Sequence, residues 1–148
     1  MSGMSPLRRP IRIFLAEDNP GDVVLIREAL REYKVEHSLV HAADGSEAKQ
    51  YLDSLANLPA SELPDILLLD LNLPKCDGDQ LLAMFRAHPC CKDTPAIIVT
   101  SSNAPKDRDR AAELGASRYF RKPSDLNEYL RLGLIVREVV AERGLVAF

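Results

Sequence analysis

A chain of 148 residues with 46% apolar and 28% charged side chains is long enough to close one hydrophobic core and too apolar to stay unfolded. Nineteen basic residues against 22 acidic ones, a net charge of −3, leave no dominant basic surface, which excludes a nucleic-acid scaffold or a binder of acidic membranes. No apolar run is long enough to span a bilayer and no leader-like segment opens the chain, so a cytoplasmic protein without membrane contact is expected. The three cysteines, two of them adjacent at Cys90 and Cys91, lack zinc-site spacing and suit a reducing compartment; they read as plain thiols, the alternative being a redox-active Cys76 in a loop.

Residues 1–10 contain Gly3, Pro6 and Pro10 and no periodicity, so they read as a disordered lead-in, with the fold starting at Ile11 and running to about residue 142. An apolar strand over residues 11–16 ends in Glu17-Asp18-Asn19-Pro20-Gly21-Asp22, a turn rich in acids that also offers helix caps. Val23, Ile26, Leu30 and Tyr33 then recur at helical steps. A second strand is expected over residues 37–42 and a second helix over 46–55, with Ala48, Tyr51, Leu52 and Leu55 inward, followed by an unusually long loop over 56–64.

Ile66 to Leu69 are uniformly aliphatic, as in a strand buried on both faces of a parallel sheet, and Asp70-Leu71-Asn72-Leu73-Pro74 follows. The spacing predicts a third helix over 79–88, a fourth strand over 96–99 ending at Thr100-Ser101-Ser102, and a charged, weakly anchored helix over 106–114. A short fifth strand over 118–121 stops at Lys122-Pro123. Ser124-Asp125 then caps one long final helix to about Glu142, leaving residues 143–148 as a tail. Five strands alternating with five helices make an α/β domain, a doubly wound parallel sheet.

In such a sheet the working crevice lies at the carboxyl ends of the strands, where strand order reverses. Residues just past strands 1, 3, 4 and 5 are Glu17 and Asp18, Asp70 with Asn72, Thr100 and Ser101, and Lys122. Taken singly, each has a plain structural role as a helix cap, a loop residue or a surface lysine. Together they match the needs of phosphoryl transfer to an aspartate: a carboxylate nucleophile, oxygen ligands for Mg²⁺, a cation for the equatorial oxygens and a hydroxyl donor.

These residues resemble the receiver domain of two-component response regulators. The resemblance rests on the pair Glu17-Asp18, on Leu67-Leu68-Leu69-Asp70-Leu71-Asn72-Leu73-Pro74 with Gly78, on Thr100-Ser101, and on Gly115-Ala116 leading to Tyr119 and Lys122-Pro123. It covers about residues 11–142, with 30 positions from Asp70 to Thr100 and 22 from Thr100 to Lys122.

It implies a flavodoxin-like (βα)5 sheet of order 2-1-3-4-5. Asp70 would be the phosphoacceptor, and Mg²⁺ would be held by Asp18, Asp70 and the Asn72 carbonyl, with Glu17 acting mainly through water. Lys122 would contact the phosphoryl group, Thr100 would move to hydrogen-bond it, Tyr119 would change rotamer, and the Lys122-Pro123 bond would be cis.

The implied function is a phosphorylation-dependent switch, not an enzyme, served by a sensor histidine kinase in a phosphorelay. The long 56–64 loop and the Asp18-Asn19-Pro20-Gly21-Asp22 opening resemble single-domain regulators that work with phytochrome-type kinases, and no output domain is expected within the chain. The alternative is a small Mg²⁺-dependent phosphohydrolase with an aspartyl-phosphate intermediate. Such enzymes want a second acid two residues after the nucleophile, where Asn72 stands.

On a continuous final helix, Leu126, Tyr129, Leu130, Leu134, Val136 and Val140 form a core face interrupted by Arg137. Leu132, Ile135 and Val139 form a second stripe, expected to be exposed and to make a homodimer through that helix.

Overall fold

The computed structural model describes residues 7–146. Its centre is a parallel sheet of β2 (Ile11–Ala16), β3 (His37–Ala42), β4 (Ile66–Leu69), β5 (Ala96–Thr100) and β6 (Arg118–Arg121), following β1 (Leu7–Arg8). The spatial order is β3-β2-β4-β5-β6, which is 2-1-3-4-5 for the five main strands as the resemblance to receiver domains implies. Order reverses between β2 and β4, so the crevice opens past Ala16 and Leu69.

Alternating side chains explain why β4 is aliphatic throughout and β2 and β5 are mostly apolar: each strand feeds two cores. On one face Phe14, Leu67, Leu69 and Ile98 meet α2 (Gly45–Ser54) and α3 (Gly78–Ala87). There Phe14 stacks on Tyr51 at 4.4 Å and packs against Phe85. On the other face Ile13, Leu15, Leu68 and Val99 meet α1 (Pro20–Glu32), α5 (Leu126–Leu130) and α6 (Leu132–Ala141). The charged α4 (Pro105–Glu113) buries Ala111, in keeping with a weak hold. Residues 55–57 and 60–62 in the long loop form two short 3₁₀ turns.

Three expectations are corrected. First, residues 7–10 are ordered: Leu7 pairs with Leu145 and Arg8 with Val146, joining β1 to β7 (Leu145–Val146) in parallel. Arg9 grips Asp65 through two hydrogen bonds of 2.7 and 2.9 Å. Local composition cannot reveal a partner at the far end of the chain. Residues 1–6 and 147–148 lie outside the described residues.

Second, the final helix breaks at Arg131, and while Tyr129, Val136 and Val140 are buried as expected, the wheel of a continuous helix misplaces Leu126 and the second stripe. Leu132 and Val139 are fully buried, whereas Leu126 is 56% exposed. The cause is Gly133, where a Cβ would lie 2.1 Å from the Ala29 carbonyl oxygen; its absence lets α6 seat directly on the α1 backbone. With that stripe in the core, the ground for a homodimer through this helix falls away. Arg137 is half-buried, with its guanidinium donating to the Tyr33 carbonyl. Third, no described peptide bond is cis, so Lys122-Pro123 is trans, the isomer that X-Pro bonds intrinsically favour.

Asp65 also accepts from the Arg12 backbone N–H at 2.8 Å and pairs with the Arg12 guanidinium at 3.2 Å. Burial pushes its carboxyl up, but the bonds from Arg9 and Arg12 outweigh burial and hold it below the ordinary aspartate range. A depressed carboxyl contributes stability above its unfolded value near pH ~4 and loses it as pH falls through the folded one. Asp65→Asn should therefore cost about 2 kcal/mol at pH 7 by urea unfolding, with the gap closing below pH ~4. A gap independent of pH would contradict this.

Candidate functional site

The side chains expected at the crevice follow or end the strands of the sheet. Glu17 and Asp18 follow β2, Asp70 follows β4, Thr100 ends β5 and Lys122 follows β6. Glu17 is 0% exposed, Asp70 5% and Thr100 0%. Lys122 Nζ lies 2.7 Å from Glu17 Oε1, 2.9 Å from Asp22 Oδ2 and 3.1 Å from Asp70 Oδ2. One ammonium thus sits among three carboxylates.

Backbone amides set the acceptor geometry. The Asn72 N–H donates to Asp70 Oδ1 at 3.1 Å, and the Asn19 N–H donates to Glu17 Oε2 at 3.1 Å. Asn19 also caps α1 with its side-chain oxygen, which starts the helix immediately after the acidic pair. His41 on β3 donates from Nε2 to the Glu17 carbonyl at 2.7 Å.

Charge balance at the site is incomplete. Burial, joined by the negative charge of Asp70, pushes the Glu17 carboxyl up to about 7 against the pull of Lys122 and the Asn19 N–H. Lys122 is pulled down by burial, but its carboxylate neighbours outweigh that and raise it above the ordinary lysine range. Although Glu17 Oε1 is in ion-pair contact with Lys122, the contact lacks hydrogen-bond geometry, so this buried oxygen has no hydrogen-bond partner.

Glu17, Asp18 and Asp70 each offer an oxygen, all within 4.8 Å of one another. Clustered carboxylates, one bearing an orphaned buried oxygen and one exposed to water, fit a hard divalent cation that retains several waters.

Glu17, Asp18, Asp70 and Lys122 therefore meet as the sequence predicts. Thr100 is buried at the same edge, but its Oγ1 accepts from the Ser102 N–H at 3.3 Å rather than contacting Asp70. Tyr119 donates its hydroxyl to the Ser102 carbonyl at 3.0 Å, and the Arg108 guanidinium covers its ring at 4.4 Å. Asn72 contributes its backbone N–H to Asp70, while its side chain faces water.

Two residues of the site escape sequence reasoning. Asp22 reads as part of a turn, yet it stands four positions after Asp18 in the first turn of α1 and reaches back to Lys122. Tyr129 reads as core, yet its hydroxyl donates to Asp22 Oδ1 at 2.9 Å. The spacing of the two acids was the available signal for Asp22; no local signal marks Tyr129.

A five-stranded sheet of this order with acids, a hydroxyl and a lysine at its carboxyl edge is a flavodoxin-like domain with its polar residues in the crevice where such sheets bind ligands. The response regulator receiver domain family matches residues 13–132, and the chain belongs to that family. Response regulator Rcp1 of Synechocystis sp. is 32% identical over 123 residues, 83% of this chain and 84% of Rcp1. The phosphorylated cyanobacterial phytochrome response regulator RcpA is 34% identical with a TM-score of 0.79, covering 91% of this chain and 96% of RcpA. The receiver domain of the Pseudomonas aeruginosa sensor histidine kinase PA1611, with a magnesium ion coordinated in its active site cleft, is 26% identical with a TM-score of 0.69, covering 90% and 99% of the two chains.

Proposed function

We propose that the chain is a phosphorylation switch in which Asp70 accepts a phosphoryl group from a sensor histidine kinase in the cytoplasm. The observation that carries this reading is a nearly buried Asp70 held 3.1 Å from Lys122 at the switch point of the sheet, beside two further acids. An Asp70 carboxylate oxygen bonds to phosphorus as the bond from phosphorus to the donor nitrogen breaks, and the electron pair leaves with the imidazole. Lys122 neutralises charge on the equatorial oxygens, and the Asn72 N–H orients the carboxylate.

Mg²⁺, held by Glu17, Asp18, Asp70 and the Asn72 carbonyl, would supply the remaining positive charge. After transfer, Thr100 exchanges its bond from Ser102 for the phosphoryl group, and Tyr119 leaves the Ser102 carbonyl to follow it. Because α4 is anchored through Ala111 and the Arg108 contact with Tyr119, it is the element such a change would shift. The likeness to RcpA, a phytochrome response regulator, supports a phytochrome-type kinase as donor.

Incubation with acetyl phosphate and Mg²⁺ tests the reading: one acid-stable, base-labile adduct per chain is expected. Multiple turnover on small phosphate esters would instead make the chain a phosphohydrolase.

Metal binding should also depend on pH. The raised Glu17 carboxyl keeps its proton below about 7, and a cation must displace that proton, so Mg²⁺ affinity should rise about tenfold per unit as pH climbs toward 7 and then level off. Calorimetry in buffers of different ionisation enthalpy reads the released proton directly. Affinity constant from pH ~5 to ~8 would contradict the assignment.

A further inference from the structure

Lys122 has one more anchor than the acid cluster supplies. Glu17, Asp18 and Asp70 are the carboxylates that would hold a divalent cation, and two of them, Glu17 and Asp70, are also partners of Lys122 that the cation would share. The metal and the ammonium also repel each other. Lysine is a compact charge on a flexible four-carbon stem, so an ammonium loosened in this way swings toward water.

Asp22 stands outside the metal cluster. Its Oδ2 accepts from Lys122 Nζ at 2.9 Å and its Oδ1 accepts from the Tyr129 hydroxyl at 2.9 Å, so both oxygens are engaged and the carboxylate is held in one orientation. Tyr129 is itself fixed, buried on α5 with Phe120 edge-on to its ring at 5.9 Å. An ammonium has three donors, which lets Lys122 exchange the Asp70 oxygen for a phosphoryl oxygen while keeping Asp22.

We propose that Asp22, locked by the Tyr129 hydroxyl, is a positioning residue that holds Lys122 within reach of the phosphoryl group once the metal has drawn Glu17 and Asp70 away. The proposal rests on the phosphoacceptor reading of Asp70.

Beryllofluoride binding to the full chain at saturating Mg²⁺ tests it. Asp22→Ala and Asp22→Asn remove the same charge, but only asparagine still offers Lys122 an acceptor oxygen. Mg²⁺ affinity alone should fall equally in the two variants. Beryllofluoride affinity should fall about tenfold in Asp22→Ala and return to within about threefold of the parent in Asp22→Asn. A residue that merely supported the packing of α1 on α5 would not produce that split.

A second readout is the Lys122 ammonium signal in ¹H–¹⁵N spectra at saturating Mg²⁺, sheltered from water exchange in the parent and lost in Asp22→Ala, whereas without Mg²⁺ Glu17 and Asp70 still hold the ammonium in the variant. If Asp22→Ala does not fold, Tyr129→Phe decides: it keeps every charge and should weaken beryllofluoride binding more than it weakens Mg²⁺ binding. Parent-like or tighter beryllofluoride binding in Asp22→Ala, or equal losses in the two Asp22 variants, overturns the proposal. A parent protein that takes no adduct from acetyl phosphate overturns the phosphoacceptor reading instead, and the ammonium signal at saturating Mg²⁺ then still reports whether Asp22 anchors Lys122.

Discussion

Asp70→Asn is expected to abolish the acetyl-phosphate adduct entirely while leaving the fold intact. A neutral amide oxygen is a poor nucleophile toward phosphorus, and the neighbouring acids are otherwise engaged: Glu17 is fully buried, Asp22 is committed to Lys122 and Tyr129, and Asp18 would be held by Mg²⁺. Stability should change little, because two effects oppose each other. Lys122 loses a charged partner at 3.1 Å, which costs stability. Glu17 is relieved of the negative charge that helps push its carboxyl up to about 7, which returns some.

The net is expected within about 1 kcal/mol of the parent by urea unfolding. Intact-mass spectrometry before and after base treatment checks the chemistry. Full-stoichiometry labelling of Asp70→Asn would move the nucleophile to another residue.

Gly78→Ala should be among the most damaging single-methyl additions to the chain. Gly78 opens α3 and donates its N–H to the Leu71 carbonyl at 3.0 Å, folding the segment after Asp70 back on itself. An added Cβ would fall 2.1 Å from the Asp70 carbonyl oxygen and 2.8 Å from both its carbonyl carbon and Leu71 Cα. All three are backbone atoms, so no side chain can swing aside; α3 must retreat or Asp70 must move.

The expected cost is roughly 3 kcal/mol, a large part of the 5–15 kcal/mol that holds a typical domain together. Beryllofluoride affinity should fall with it, because the displaced backbone carries the phosphoacceptor. A urea midpoint unchanged from the parent would show that the loop yields freely.

The element pattern and the acid-lysine edge were legible in the sequence for one reason. Parallel strands buried on both faces must be continuous aliphatic runs, and whatever polar residue follows such a run is delivered to the same end of the sheet. Ile66 to Leu69 therefore locate Asp70, and Ala96 to Val99 locate Thr100, before any coordinates exist. Less visible were the contacts made by backbone against backbone. The wheel placed Leu132 and Val139 outside because it assumed a straight helix, and neither the break at Arg131 nor the seat of Gly133 on Ala29 leaves a local signature.

Motif and spacing alone place Glu17, Asp18, Asp70, Thr100 and Lys122 at one edge of a parallel sheet, since periodicity and strand-end position are local properties of the chain, while the order 2-1-3-4-5 is implied by the resemblance to receiver domains. Tertiary structure alone decides how Lys122 is held, that Asp22 and Tyr129 join it from α1 and α5, and that Leu7 and Arg8 pair with Leu145 and Val146. Those pairings join residues 100 or more positions apart, and distance along the chain says nothing about them until packing has brought the helices and termini together.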